Sequence, residues 1–470
     1  MLRISNRNGR FRFHLYTNNE KERDVMGNVQ ILLRQHVGAP CAAIVKAGDE
    51  VKKGTLIATP TGLGANIFSS VYGVVEEVLE DRIVIKPDEE QKDEFVPIDV
   101  AEDASKLDMV KAAGIVGMGG AGFPTGVKIG TDLNGGYVLV NAAECEPGLK
   151  HNVVQLEEDT DATIRGLKYC MEICNAAKGI IAIKKKNEKA VEILRAAIKD
   201  DDSLTIHLLP DIYPMGEERA VVRECLGIEL EITQLPSAAN SVVINCETLL
   251  RMTEAIEDKK PCFSKNMTVI GKLNGGNVAH TFKDVPVGTS VADMIEASGG
   301  IEGTYGEIIM GGPFTGKATT LDAPTTKTTG GIIVTMEFPD LKGANVGLLV
   351  CACGGNEERM RDICEKMNGK CVSVATCKQA VAAKPGAPLK CERPGNCPGQ
   401  AKNNLQFKKD KAEYIIIGNC SDCSNTVMGS APQMKLKVFH QTDHVMRTIG
   451  HSLYRKLRVS KSVDQLPNGK

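Results

Sequence analysis

Tryptophan is absent from the 470 residues, and Phe, Tyr and Trp together make up 4%. The cores must therefore be built from Ile, Val, Leu, Met and Ala. No apolar run approaches the roughly 20 residues of a membrane-spanning helix; the strongest, such as YIII at 414–417, are strand-sized. A dominant charge is missing too: a net charge of −2 argues against a nucleic-acid-binding surface. The eight histidines are scattered, contain no HExxH, and carry no signal for a zinc hydrolase. The opening MLRISNRNGRFRFHL has positive charge but no continuous apolar segment, so it does not read as a signal peptide. These absences predict a soluble, cytoplasmic protein. The length predicts two to four domains.

Cysteine is plentiful: 16 residues, nine of them between Cys351 and Cys423. In a reducing compartment such a concentration points to metal, cluster or thiol redox chemistry rather than to structural disulfides. Glycine is concentrated as well, in GIVGMGGAGFPTGVKI at 114–129. Glycines there leave backbone N–H groups uncovered and permit positive φ, as a chain wrapping a phosphate or a flat ring requires. Lys128 puts a cation nearby, and the apolar strand at 137–140 ends in the polar cluster Asn141, Glu144, Cys145 and Glu146. A glycine loop feeding a strand that ends in hydrogen-bonding groups reads as a nucleotide or flavin pocket.

The pattern along the chain is multidomain α/β and α+β. Residues 35–86 alternate as short strands, with turns at Gly48–Asp49 and Lys53–Gly54. From 103 to 252 strand and helix alternate, which predicts a parallel or mixed sheet. Helices are expected at 107–113, at 157–177 with Gly179 as its stop, and at 187–199 opened by Asn187; the last begins in the basic run 184–189, expected to be solvated. Strands are expected at 179–183 and 204–209, followed by a glycine turn and helix in YPMGEERAVVRECLG. Residues 267–335 return to β character, with a helix opening at Thr289–Ser290. From 346 the chain is α/β again: GLLVCACGG and AEYIIIGNCSDC are strands that deliver cysteines at their C-terminal ends, the edge where α/β sheets build sites. The stretch VSKSVDQLPNGK reads as a frayed tail.

Several of these segments resemble known families. The order V-K-x-G-D-x-V in the first module resembles the lipoyl-type barrel-sandwich hybrid, but GANIFSSV at 64–71 holds no lysine where those domains are modified, which predicts an unmodified structural module. GMGGAGFPTGVK, NAAECEPG, YPMGEERAVVRECLG and VVINCETL, in that order, resemble the flavin- and NADH-binding module shared by the complex I flavin subunit and the Rnf C subunit. The β segment closing in GGPFTG resembles a small β-grasp module of the SLBB type, again in the Rnf C order. The implied division is 1–100 barrel-sandwich, 101–262 FMN/NADH-binding α/β, 263–342 β-grasp and 343–470 cysteine-rich α/β.

The resemblance implies FMN and NAD(H) as cofactors. It places Gly117, Gly119 and Gly120 along the flavin, Lys128 on its phosphate side and Phe123 as a stacking face. Asn141 and Glu144 would meet the isoalloxazine edge, Asn245 and Thr248 would meet the flavin from a second loop, and Glu217 with Glu218 would hold the dinucleotide. The complex I proteins carry arginine, an acid and asparagine where this chain has Met118, Ala143 and Ile244; the first two changes point toward the Rnf-like branch. The Rnf C proteins also carry CxxCxxCxxxCP runs for [4Fe–4S] clusters, and this chain has no CxxCxxC. Its C-terminal cysteines instead resemble those of the electron-transfer protein associated with D-proline reductase, which makes that reductase the implied partner.

Two readings of the cysteines remain open. Cys420 and Cys423, a CxxC at a strand end before a helix, and Cys351 with Cys353 could be redox dithiols. Alternatively Cys391, Cys397, Cys420 and Cys423 could hold zinc or an iron–sulfur cluster. Cys170 and Cys174, at i and i+4 on a helix, and the isolated Cys41, Cys225, Cys246 and Cys262 read as small buried hydrophobes. The expected activity is oxidation of NADH through FMN with electrons leaving by the C-terminal thiols; the alternative is a flavin-free scaffold that docks an electron-transfer complex.

Overall fold

The computed structural model describes residues 27–452, together with the backbone pairing of Ser5–Arg7 with Arg10–Arg12. The run considered as a leader lies largely outside the described residues, as does the tail at 459–470. No helix among the described residues is long and apolar enough to cross a membrane.

The first module is two antiparallel sheets, one of Val29–Leu32, Arg82–Pro87, Gly73–Val78 and Glu50–Val51, the other of Cys41–Ala43, Leu56–Pro60 and Ile67–Phe68. Alternate residues Val29 and Ile31, and Ile83 and Ile85, are fully buried between them, the period of two that a half-buried strand requires. The sheet starts at Val29, ahead of the expected start. In the segment without a lysine, Ile67 and Phe68 are buried in a strand, and the Ser70 hydroxyl donates to the Val287 carbonyl (2.6 Å) of a later module.

Next comes a four-stranded parallel sheet, ordered Leu204–Leu209, Ala176–Lys184, Gly136–Ala142, Ser241–Asn245. In chain order this is third, second, first, fourth, so the direction of winding reverses between the last two. Crevices at the C-terminal edge of such a reversal are where open α/β sheets bind ligands. Asn141 and Asn245 are in register there.

The helix expected at 157–177 is two helices, His151–Glu158 and Thr160–Ile173. They part at Asp159, whose carboxylate turns to Lys283 (2.7 Å). Asn175, in the left-handed region at φ 51°, ends the second helix in place of Gly179, and the strand already begins at Ala176; asparagine tolerates that conformation better than most residues. Asn187 precedes the helix Glu188–Ile198 but makes no side-chain cap bond. Lys184 is not on a solvated helix: it ends the strand, buried, with Nζ 3.0 Å from Asp211.

The β segment forms a five-stranded mixed sheet, ordered His280–Pro286, Ser264–Gly271, Gly331–Val334, Ile308–Met310, Lys317–Thr319. Its first and last strands in chain order are parallel neighbours, and the helix Val291–Ala297 is opened by Ser290, which accepts from the Asp293 N–H. The final sheet is parallel, ordered Lys370–Thr376, Asn345–Val350, Tyr414–Ile417, Lys437–His440. Its winding also reverses, between Asn345–Val350 and Tyr414–Ile417, the two strands followed by cysteines.

Three buried polar junctions lock these units together. Lys265 and Glu247, both fully buried, pair between the helix Cys246–Glu257 and the strand Ser264–Gly271. The fully buried Lys327 Nζ donates to the carbonyls of Asn66 (2.6 Å) and Gly114 (2.8 Å). Glu307 gathers Arg359, Lys366 (2.9 Å) and His444 (2.8 Å) from the cysteine-rich unit. Paired or multiply hydrogen-bonded charges of this kind are what a dry interior tolerates.

Candidate functional site

The reversal point of the first parallel sheet and the turn that follows Asn345–Val350 face one cavity of 410 Å³. Its lining includes Gly119, Asn141, Glu144, Asn152, Glu217, Glu218, Arg219 and Asn245 from the first parallel sheet and its loops. Thr315 of the mixed sheet and Cys353 and Cys391 of the cysteine-rich unit complete the wall. The volume lies within the usual span for a small-molecule site.

The residues at the strand ends are fixed by short hydrogen bonds. Asn141 Nδ2 donates to the Gly216 carbonyl (2.9 Å), and its Oδ1 accepts from the Ala143 N–H (3.2 Å). Asn245 caps the helix behind it by accepting from the Glu247 N–H (2.9 Å). Glu144 is held at φ 37°, a left-handed conformation that is costly for a residue with a side chain and tends to be kept at functional sites. Its carboxylate accepts from Asn152 Nδ2 (3.1 Å), and burial raises its pKa to about 7. Glu146 accepts from the Phe314 N–H (2.7 Å), the Thr315 N–H (3.0 Å) and the Thr315 hydroxyl (2.6 Å), pinning the GGPFTG loop to the cavity rim.

The glycine loop is braced from behind. The Met118 N–H donates to the Thr248 hydroxyl (3.0 Å), and the Gly117 N–H to the Phe123 carbonyl (2.9 Å). Gly119 reaches the cavity, whereas Gly117, Gly120, Phe123 and Thr248 stand outside its lining. Thr248 is fully buried and acts on the loop rather than on its contents. Lys128 is also outside, its ammonium taken by Glu218 and the Val243 carbonyl (3.0 Å). Glu217 accepts from the Ala220 N–H (3.0 Å) as the cap of its helix and pairs with Arg219 (3.1 Å). Sequence reasoning missed Asn152 and Arg219 as wall residues, although Asn152 stands four residues past NAAECEPG and Arg219 lies inside YPMGEERAVVRECLG, and it named Cys391 only as a possible metal ligand.

The thiols form two groups. Cys353 is within hydrogen-bonding reach of both Cys391 and Cys420, whose pKa values that contact lowers while its own is raised. Cys397 receives the Cys423 thiol, Thr426 Oγ1 and Gln400 Nε2, and those bonds, the Cys423 one foremost, lower its pKa to about 6. Cys420 precedes the helix Ser421–Met428 and Cys423 lies in its first turn, as the CxxC spacing predicts, yet each hydrogen-bonds to a more distant cysteine. Burial raises the Cys351 pKa to about 12. Cys391, Cys397, Cys420 and Cys423 do not converge on one point, and no three Cys, His, Asp or Glu among the described residues are placed to hold a metal ion. Of the cysteines read as buried hydrophobes, Cys41, Cys170, Cys174, Cys246 and Cys262 are buried, and Cys225 is half-buried.

The histidines carry more than their scatter suggested. His440 and His444 sit in an HQTDH run; His440 contacts the Ser424 hydroxyl (2.6 Å) and His444 contacts Glu307.

Residues 110–254 match the Nuo51 FMN-binding domain, and residues 17–99 match the RnfC barrel-sandwich hybrid domain. The C subunit of the proton-translocating ferredoxin:NAD+ oxidoreductase complex of Clostridium ljungdahlii is 33% identical over 326 residues, 65% of this chain and 70% of that protein. The chain is a member of the Rnf C family. Its counterpart in the Na+-translocating ferredoxin:NAD+ oxidoreductase complex of Acetobacterium woodii is 32% identical, over 65% of this chain and 72% of the relative. The cobalamin reductase PduS of Salmonella typhimurium is 37% identical over 226 residues, 48% of each chain; the chain thus spans about half the length of that relative.

The residues present fit the FMN of this Rnf C-family domain. Gly119 presents bare backbone beside Asn245, where a methyl group would lie 3.1 Å from Nδ2. Arg219, at the cavity wall, has a buried Nη1 with no partner among the described residues. Carboxamides and an arginine at the edge of a parallel sheet are the donor set that a flavin's carbonyls, ring nitrogens and phosphate need.

Proposed function

We propose that the protein is an electron-transfer oxidoreductase: it takes electrons from NADH at an FMN held by the first parallel sheet and delivers them through the thiols of the second sheet to a partner reductase. The observation that carries this reading is the shared cavity, with flavin-type residues on one wall and Cys353 and Cys391 on the other. FMN, when bound, would accept a hydride from the nicotinamide, leaving NAD+, and hold the electron pair for onward transfer. The chain's part is orientation and exclusion of water. Asn141 and Asn245 fix the ring edge, Glu144 places a carboxyl that can hold or release a proton near neutrality, and Glu217 with Glu218 faces the dinucleotide.

The strand order of residues 263–342, with first and last strands parallel at the centre beside one helix, supports the β-grasp assignment and the four-part division of the chain. Among the relatives, names differ in the redox partners: ferredoxin and NAD+ in the Rnf C proteins, cobalamin in PduS. The acceptor is therefore what distinguishes members, and the cysteine pattern makes D-proline reductase the acceptor to test first.

The test is a visible spectrum of the anaerobic protein reconstituted with FMN. Bound flavin shows bands in the near-ultraviolet and blue that NADH bleaches. Failure to retain FMN, or retained FMN that NADH leaves oxidised, overturns the reading.

A further inference from the structure

Of the two candidate dithiols read from the sequence, the CxxC pair does not reach the cavity: Cys420 and Cys423 are 3% and 4% exposed and stand behind its wall, and of Cys351 and Cys353 only Cys353 lines it. Besides Cys145 on the flavin-side wall, the sulfurs that line it come from two places far apart in the chain. Cys353 lies in the tight turn after Asn345–Val350, closed by the bridge between Cys351 and Gly355. Cys391 ends the hairpin Ala380–Ala382 with Leu389–Cys391. That hairpin is anchored on the flavin unit, not on its own sheet: Arg219 donates to the Cys391 carbonyl (2.8 Å) and Arg223 to the Pro394 carbonyl (2.8 Å).

We propose that Cys353 and Cys391 are a redox dithiol that closes to a disulfide in the cavity wall and is the first acceptor of electrons leaving the flavin site; this rests on the flavin reading above. Both thiols share the cavity with Asn141, Glu144 and Asn245, and each is within hydrogen-bonding reach of the other. Reduction breaks the S–S bond and forms two S–H bonds. The electron pair and one proton come from the reduced flavin anion, which is reoxidised, and the second proton comes from solvent. Cys353 is also within reach of Cys420, so the sequence's CxxC motif stands one exchange further on, behind the wall. A hairpin held by two arginine-to-carbonyl bonds and facing a tight turn gives the pair the fixed approach that thiol–disulfide exchange requires.

The experiment uses the full-length protein, with and without FMN, oxidised by diamide, blocked with N-ethylmaleimide and mapped by mass spectrometry without reduction. The expected result is a peptide pair joined through Cys353 and Cys391, absent in Cys391→Ser and retained in Cys423→Ser. Anaerobic reductive titration of the FMN-loaded protein should consume one electron pair more in the wild type than in Cys391→Ser. Recovery of both Cys353 and Cys391 as maleimide adducts, or equal electron uptake in the two proteins, overturns the proposal. In that event, FMN still bound and bleached by NADH leaves the function above standing. Loss of FMN binding with the cross-link intact removes that function and, with it, the acceptor role.

Discussion

Glu144 offers the most direct test of the site's electrostatics. Its carboxyl is buried beside Asn152, and burial raises its pKa from 4.5 to about 7. A carboxyl with a raised folded pKa binds its proton more tightly in the native state than in the unfolded chain. Stability is therefore greatest below the unfolded value and is lost as pH rises through the folded one. At about 1.4 kcal/mol per unit, the loss between pH 4.5 and 7 is about 3 kcal/mol. Glu144→Gln keeps the shape and the hydrogen-bonding capacity but removes the titration. The variant should match the wild type near pH 4.5 and exceed it above pH 7, by roughly 6–12 °C in melting temperature for a cooperative unit of ordinary domain size. Melting curves of the FMN-free proteins from pH 4.5 to 8 give the difference directly, and neighbouring carboxyls such as Glu146 cancel in it. A flat difference across that range would show an ordinary, ionised carboxylate and refute the burial argument.

Two substitutions test how the cavity is held. Lys265→Met leaves the fully buried Glu247 without its ammonium; with Arg251 still 3.4 Å away, the loss should be about 3 kcal/mol, the lower end for breaking a buried pair, and a denaturant titration showing less than about 1 kcal/mol would count against it. Gly312→Ala places a methyl group 2.3 Å from the Glu146 carboxylate; it should displace the 311–316 loop, cost about 2 kcal/mol and weaken FMN retention on gel filtration, whereas unchanged melting and retention would show that the loop does not brace the rim.

Legibility followed sequence distance. Asn141 could be placed because an apolar strand ending in a polar residue is a local pattern, Asn245 because its motif resembles the family's, and Ser290 announces its helix by capping, accepting from an N–H three residues on. Lys128 is the counter-example: a cation beside a glycine loop suggests a phosphate, but Glu218, 90 residues later, claims its ammonium. The paired helices around Asp159 were hidden for the same reason, since Lys283 lies more than a hundred residues away. Cys391 was legible only as one of four possible metal ligands. Its place opposite Cys353 depends on a hairpin docking to arginines 171 and 172 residues upstream.

Lys327 has a consequence for how the molecule is made. Its ammonium ties Gly114, the first residue of the glycine loop, to a lysine 213 positions later, and ties the barrel-sandwich unit across 261 positions. The loop is thus synthesised long before the group that fixes its origin leaves the ribosome. Domains tend to fold in order of synthesis, and contacts of such separation form late. Cofactor loading then belongs to the finished chain, and a nascent chain stalled before residue 327 should carry the flavin-binding fold without a settled flavin-binding loop.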